Sequence, residues 1–143
     1  MANRIFRGPV SRQPRTVTRL VTGALLPGTF VEDSGAALTA AGAGGDSRLL
    51  LLDALMLQGQ AVDTAYVSGT TGIAFVPEVG HQFQAVAVAA TYTEGQALTT
   101  NAAGLLVAAG TGEDVVAHIE GSAGVLGANG LVDIVIANSY TLA

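Results

Sequence analysis

The chain has 143 residues, enough for one compact domain that buries roughly 70% of the surface its unfolded form exposes. It contains no Cys and no Trp; aromatics make up 5% of the residues, half are hydrophobic, and only 12% are charged. These values exclude disulfides and thiolate metal sites, leave little for a single-strand stacking platform, and point to apolar surface covered by oligomerisation or permanent docking.

Charge divides the chain in two. There is no lysine, and five of the six arginines (Arg4, Arg7, Arg12, Arg15 and Arg19) fall within the first nineteen residues, which hold no acid. The eleven acids and Arg48 all lie beyond, so the first stretch carries +5 and the remainder −10, within a net charge of −5. Gly8, Pro9 and Pro14 interrupt residues 2–19, where neither a helical nor an alternating pattern is sustained. The expectation is an extended arm at 1–19, ordering on contact, followed by a Gly-rich β domain at 20–143. A guanidinium presents a planar fork to carboxylate or phosphate. Three roles fit such an arm: a solubilising tail, a nucleic-acid contact, or docking on an acidic protein surface. The acidic body opposes phosphate, so docking on protein is preferred.

In the body, short apolar runs alternate with glycine turns. Residues 17–26 read as the first strand, ended by Pro27-Gly28. Strands are predicted at 29–31 and 36–39 around the turn Asp33-Ser34-Gly35, with a loop at 40–46 too rich in glycine for a helix. The run at 48–57 suits a helix by its leucines, and its four consecutive leucines also suit a buried strand; a strand at 49–52 is preferred. Further strands are expected at 65–68, 72–76, 83–91, 97–99, 105–108, 115–120 and 131–137. The fold class is therefore all-β, or mainly β with at most one short helix: a small barrel or sandwich. A weak internal repeat is also present. Pro27-Gly28 followed by Val31, Gly35, Leu38 and Gly42 echoes Glu94-Gly95 followed by Leu98, Gly104, Leu106 or Val107, and Gly110. Duplication and ordinary hairpin punctuation both account for it.

No reactive constellation emerges. His81, after the turn at 78–80, is expected to be exposed, and His118 alternates with Ala117 and Ile119 in a strand. Neither has metal-ligand spacing, and no Gly-x-Ser-x-Gly elbow exists. Glu113-Asp114 after Gly110-Thr111-Gly112 lacks the alternating oxygen ligands of a calcium loop. The glycine-rich segments at 42–45 and 121–130 lack the Gly-Lys-Ser/Thr ending of a phosphate cradle. The reading is a non-enzyme without cofactor or metal.

Residues 62–137 resemble the decoration, or cement, proteins of tailed-bacteriophage capsids. The resemblance rests on Asp63, Tyr66 and Gly69, the turn at 77–80, Tyr92-x-x-Gly95-x-x-Leu98, Gly104-Leu105 and the closing strand at 132–136. It implies a small β-barrel or β-tulip domain, a homotrimer bound to the outside of an expanded icosahedral shell, and an N-terminal arm that adds a strand to a neighbouring major capsid subunit. Arg4, Ile5, Phe6, Arg7, Arg12, Arg15 and Arg19 would then be the capsid contacts. The partners implied are the major capsid protein and the chain itself, with no nucleic acid and no membrane. Its place would be the outer surface of the virion, after synthesis in the host cytoplasm. Removing residues 2–19 is expected to leave a folded oligomer that no longer holds the shell. The arm is richer in arginine than strand addition requires, and 49–57 has no counterpart in the family pattern. Other particle components (a minor head or tail-tube protein) and a carbohydrate-binding β domain are the alternatives.

Overall fold

The computed structural model describes residues 4–45, 48–55, 58–121 and 124–143. Among them the regular elements are strands, apart from a 3-10 turn at Ala43–Gly45 and 3-10 geometry at Gln58, so the fold is all-β. Strands β2 (Arg15–Val21), β3 (Phe30–Asp33), β4 (Ala37–Ala40), β5 (Leu50–Leu52) and β6 (Thr71–Val76) close into a barrel in the order β2-β4-β3-β5-β6. A second sheet contains β1 (Phe6–Gly8), β7 (Gln82–Ala87), β9 (Ala97–Thr100), β10 (Leu106–Ala108), β11 (Asp114–Ile119) and β13 (Gly130–Thr141). Its order is β1-β7-β10-β9-β11-β13, and an additional β7–β13 pairing closes the last five into a second barrel. β8 (Ala90–Tyr92) and β12 (Gly124–Leu126) form a separate ribbon.

The leucine run shows how sequence becomes packing. Leu50, Leu51 and Leu52 are all buried because β5 has apolar surroundings on both faces. Leu50 and Leu52 join Val21, Val31, Leu38 and Ala74 in the core of the first barrel. Leu51, pointing the other way, joins Phe30 and Ala41 against the second barrel. In the second barrel Phe83, Leu98, Leu106 and Ile134 alternate with Ala85, Ala87 and Ala117. A five-stranded barrel is narrow, and mixing large with small side chains is how such interiors fill. Backbone bonds between the barrels, Val86 N–H to the Gly28 carbonyl (2.9 Å) and Phe30 N–H to the Gly104 carbonyl (2.9 Å), stitch them into one body.

The two barrels are copies of one plan. In each, the first strand runs parallel to the second strand of a hairpin and antiparallel to the last strand, and the intervening strand pairs antiparallel on both sides. The registers match as well. Gly28 N–H donates to the Leu52 carbonyl (2.8 Å) as Gly95 N–H does to that of Ile119 (2.9 Å), and both glycines have positive φ. Leu52 N–H returns a bond to Thr29 (3.1 Å) as Ile119 N–H does to Gln96 (3.0 Å). The repeat read in the sequence is thus a structural repeat, with Val31 and Leu98, and Leu38 and Leu106, in corresponding core positions.

Several expectations are corrected. The N-terminal stretch is built into the body: Ile5 is 1% exposed, β1 pairs antiparallel with β7, and β2 pairs with β6 from Arg15 to Leu20. The boundary placed at 19/20 therefore falls inside a barrel strand, and removing 2–19 would delete most of that strand. Alternation in Arg15–Val21 was hidden because Arg15 and Arg19 occupy positions on the same face as Val17 and Val21. Residues 65–68 form no strand; buried Tyr66 instead caps the first barrel from a loop. The strand expected at 83–91 divides into β7 and β8, and β12 lies in glycine-rich sequence where no strand was expected. For the ambiguous leucine segment the strand reading holds at Leu50–Leu52, while residues 56 and 57 lie outside the described residues.

Candidate interaction surface

The arginine-bearing segment is held in place by a histidine. The chain turns after β1 through a cis Gly8-Pro9 bond, and Arg12 N–H donates to the Pro9 carbonyl at 3.1 Å. The Arg12 carbonyl accepts from His81 Nε2 (2.8 Å), while His81 Nδ1 accepts from Glu78 N–H (3.0 Å). These two bonds require the neutral tautomer with its proton on Nε2. Contrary to expectation His81 is fully buried, because its ring also packs edge-on against Phe6 (5.5 Å) and Phe83 (5.9 Å). Phe75 completes the cluster at 6.1 Å from Phe6 and 5.6 Å from Phe83. Three of the four phenylalanines thus anchor β1 between the barrels, each tilted contact adding to burial.

All five arginines remain exposed on this fixed scaffold. Arg12 Nη2 donates to the Val79 carbonyl at 2.7 Å, and Arg19 pairs with Asp33 at 3.5 Å. At 43% side-chain exposure, the Arg19 pair contributes about 0–1 kcal/mol. Arg4, Phe6, Arg7, Val10 and Gln13 line a groove with a volume of ≈ 440 Å³. On the other side of Arg4 the groove continues past Pro14 and Thr16 to Asp53. Burial raises the Asp53 carboxyl above its ordinary value, and the Ala54 amide and the Arg4 charge pull it partly back. Exposed aliphatics stand among these charges: Val10 at 79%, Val79 at 53% and Leu20 at 45%. Arg4 and Arg7 thus have apolar neighbours in these grooves, and Arg7 also lies beside Glu120 and Asp133.

Of the nominated contacts, all five arginines are exposed and Arg4 and Arg7 line one groove, whereas Ile5 is core and Phe6 belongs to the aromatic cluster. Val10, Val79 and Leu20 were missed; lone aliphatics in polar sequence carry no signal of their exposure. His118 lies elsewhere, its Nε2 2.8 Å from the Tyr140 hydroxyl, with the two rings stacked at 5.8 Å. Among the described residues no cluster of three or more His, Asp or Glu side chains is placed to hold a metal ion. No helix among them is long and apolar enough to cross a membrane. No protein-family model matches the chain, and no curated protein matches it in sequence.

Proposed function

We propose that this chain is a structural protein that binds the outer surface of an icosahedral phage capsid and clamps neighbouring major capsid subunits. The observation that carries the reading is that all five arginines of the first nineteen residues are exposed on a folded segment, Arg4 and Arg7 lining one groove with Val10. A rigid display loses less entropy on docking than a free arm would. The interface exists only in the assembled shell, so occupancy stabilises that state by linkage. A homotrimer would engage three such segments at high effective concentration. The resemblance of residues 62–137 to capsid decoration proteins supplies the partner; the composition, half hydrophobic and 12% charged, is consistent with a chain that is docked in its working state.

The test is co-sedimentation with empty expanded capsids at low and high salt, beside light scattering of the free protein. Wild type is expected to pellet with shells at low salt and to be released as salt rises. Reversing two charges in Arg4→Glu/Arg7→Glu is expected to weaken binding at least about tenfold, since both side chains are exposed, with circular dichroism checking that the fold is kept. Binding that ignores both salt and the double substitution defeats the reading.

A further inference from the structure

The repeat makes one empty position visible. In the second barrel, the edge of β7 facing away from β13 is filled along its length. Gln84 N–H donates to the Ile5 carbonyl (2.7 Å), Val86 N–H to that of Gly28 (2.9 Å) and Val88 N–H to that of Leu106 (3.0 Å). The first of these bonds comes from β1, which adds to β7 antiparallel with Phe6 opposite Phe83.

The corresponding strand of the first barrel is β2. Val17 lies opposite Ala74 as Phe83 lies opposite Ile134, and Ala74 and Ile134 are themselves matched through Leu52 and Ile119. Thr16 and Thr18 therefore occupy the positions of Gln82 and Gln84. Yet β4 pairs with β2 only at Leu20 and Val21. Among the described residues, no strand pairs with that edge of β2 between Arg15 and Thr18, where Arg15, Thr16 and Thr18 are exposed. What β1 does for β7, no strand among the described residues does for β2, where the Arg19 side chain donates to the Thr18 carbonyl at 3.2 Å.

We infer that this edge of β2 receives an extended, acidic segment of another protein, added antiparallel as β1 is added to β7. Backbone groups along an open edge supply affinity with little sequence demand, and side chains at alternate positions supply selectivity. Arg15 and Val17 share a face of β2, so the incoming strand presents an apolar residue opposite Val17 and a carboxylate two residues later, opposite Arg15. A second copy of β2 suits the edge poorly: antiparallel pairing about Val17 sets Arg15 against Arg19 of the other copy, and like charges directly opposite repel. The inference concerns the contact segment alone and holds whatever particle the partner belongs to.

The experiment uses the intact chain and two synthetic eight-residue Thr/Val peptides, one with glutamate and one with lysine two residues after the central valine. Amide exchange and chemical shifts are followed at millimolar peptide. The glutamate peptide is expected to slow exchange at Thr18 about tenfold, leaving Gln84 unchanged. The lysine peptide should bind at least roughly threefold more weakly, and Arg15→Glu should reverse that preference. A glutamate peptide methylated on alternate backbone nitrogens, unable to pair, should give no protection while the protein itself is unaltered. The inference is overturned by protection confined to other strands, by equal binding of the glutamate and lysine peptides, or by undiminished binding of the methylated one. Protection of Thr16 and Thr18 that appears without peptide as the chain dimerises assigns the edge to a second copy and overturns it equally.

Discussion

Replacing Ile5 by alanine tests whether the N-terminus is an arm or a built-in strand. Ile5 is 1% exposed and packs in the core that includes Phe83 and Ala85, while its carbonyl accepts from Gln84 N–H at 2.7 Å. Removing buried methyl and methylene groups from such a site costs about 2–5 kcal/mol, by lost transfer energy plus the cavity that remains. Because β1 is three residues long and, among the described residues, pairs with β7 alone, outside both barrel rings, its undocking limits the global loss to what its docking contributes. The expected value is therefore near the lower end, about 2 kcal/mol, out of a total of roughly 5–15 kcal/mol. Val10→Ala is the control: at 79% exposure it should change stability by less than about 0.5 kcal/mol. Guanidinium unfolding followed by far-UV circular dichroism gives both values, and hydrogen exchange at Gln84 reports the local event. Unaltered unfolding of Ile5→Ala, together with unaltered exchange at Gln84, would refute a docked β1 and restore the free-arm reading.

Two further outcomes follow from the packing. Gly104 has φ +76°, and a Cβ there would strike the Phe30 carbonyl and lie 2.9 Å from Thr29 Cγ2, where the barrels meet. Gly104→Ala should lose more than about 3 kcal/mol, whereas Gly35→Ala, with φ +91° and open space around it, should lose only about 1–2 kcal/mol; thermal unfolding separates the two. Tyr66 donates its hydroxyl to the Asp53 carbonyl, and burial pushes its phenol from 10.0 up to about 12. A raised folded value means that the stabilisation is complete below pH 10.0 and is lost as pH rises towards about 12. Denaturation midpoints should fall across that window and fall less in Tyr66→Phe, which has no proton to lose; equal slopes would contradict the assignment.

The sequence alone determined the fold class. Glycine turns every few residues and short apolar runs leave no room for a helix with a buried face, and β6, β9 and β11 appear nearly where those runs stand. It suggested the repeat without deciding it; the matching bonds of Gly28 and Gly95 in two barrels of one register did so. The charge map placed five arginines together in sequence, and all five are exposed. What the sequence could not decide was which backbone those arginines ride on. Prolines at 9 and 14 and charges at inward-facing positions of β2 erase the local signature of a strand, yet long-range pairing to β6 and β7 supplies it regardless of propensity. Likewise His81 looked exposed because it follows a turn, and is buried because Phe6, distant in sequence, packs on its ring beside Phe83. The open edge of β2 belongs wholly to the tertiary structure. It is legible only by laying one barrel on the other and finding that β1 pairs with β7 while no described strand pairs with the equivalent edge of β2.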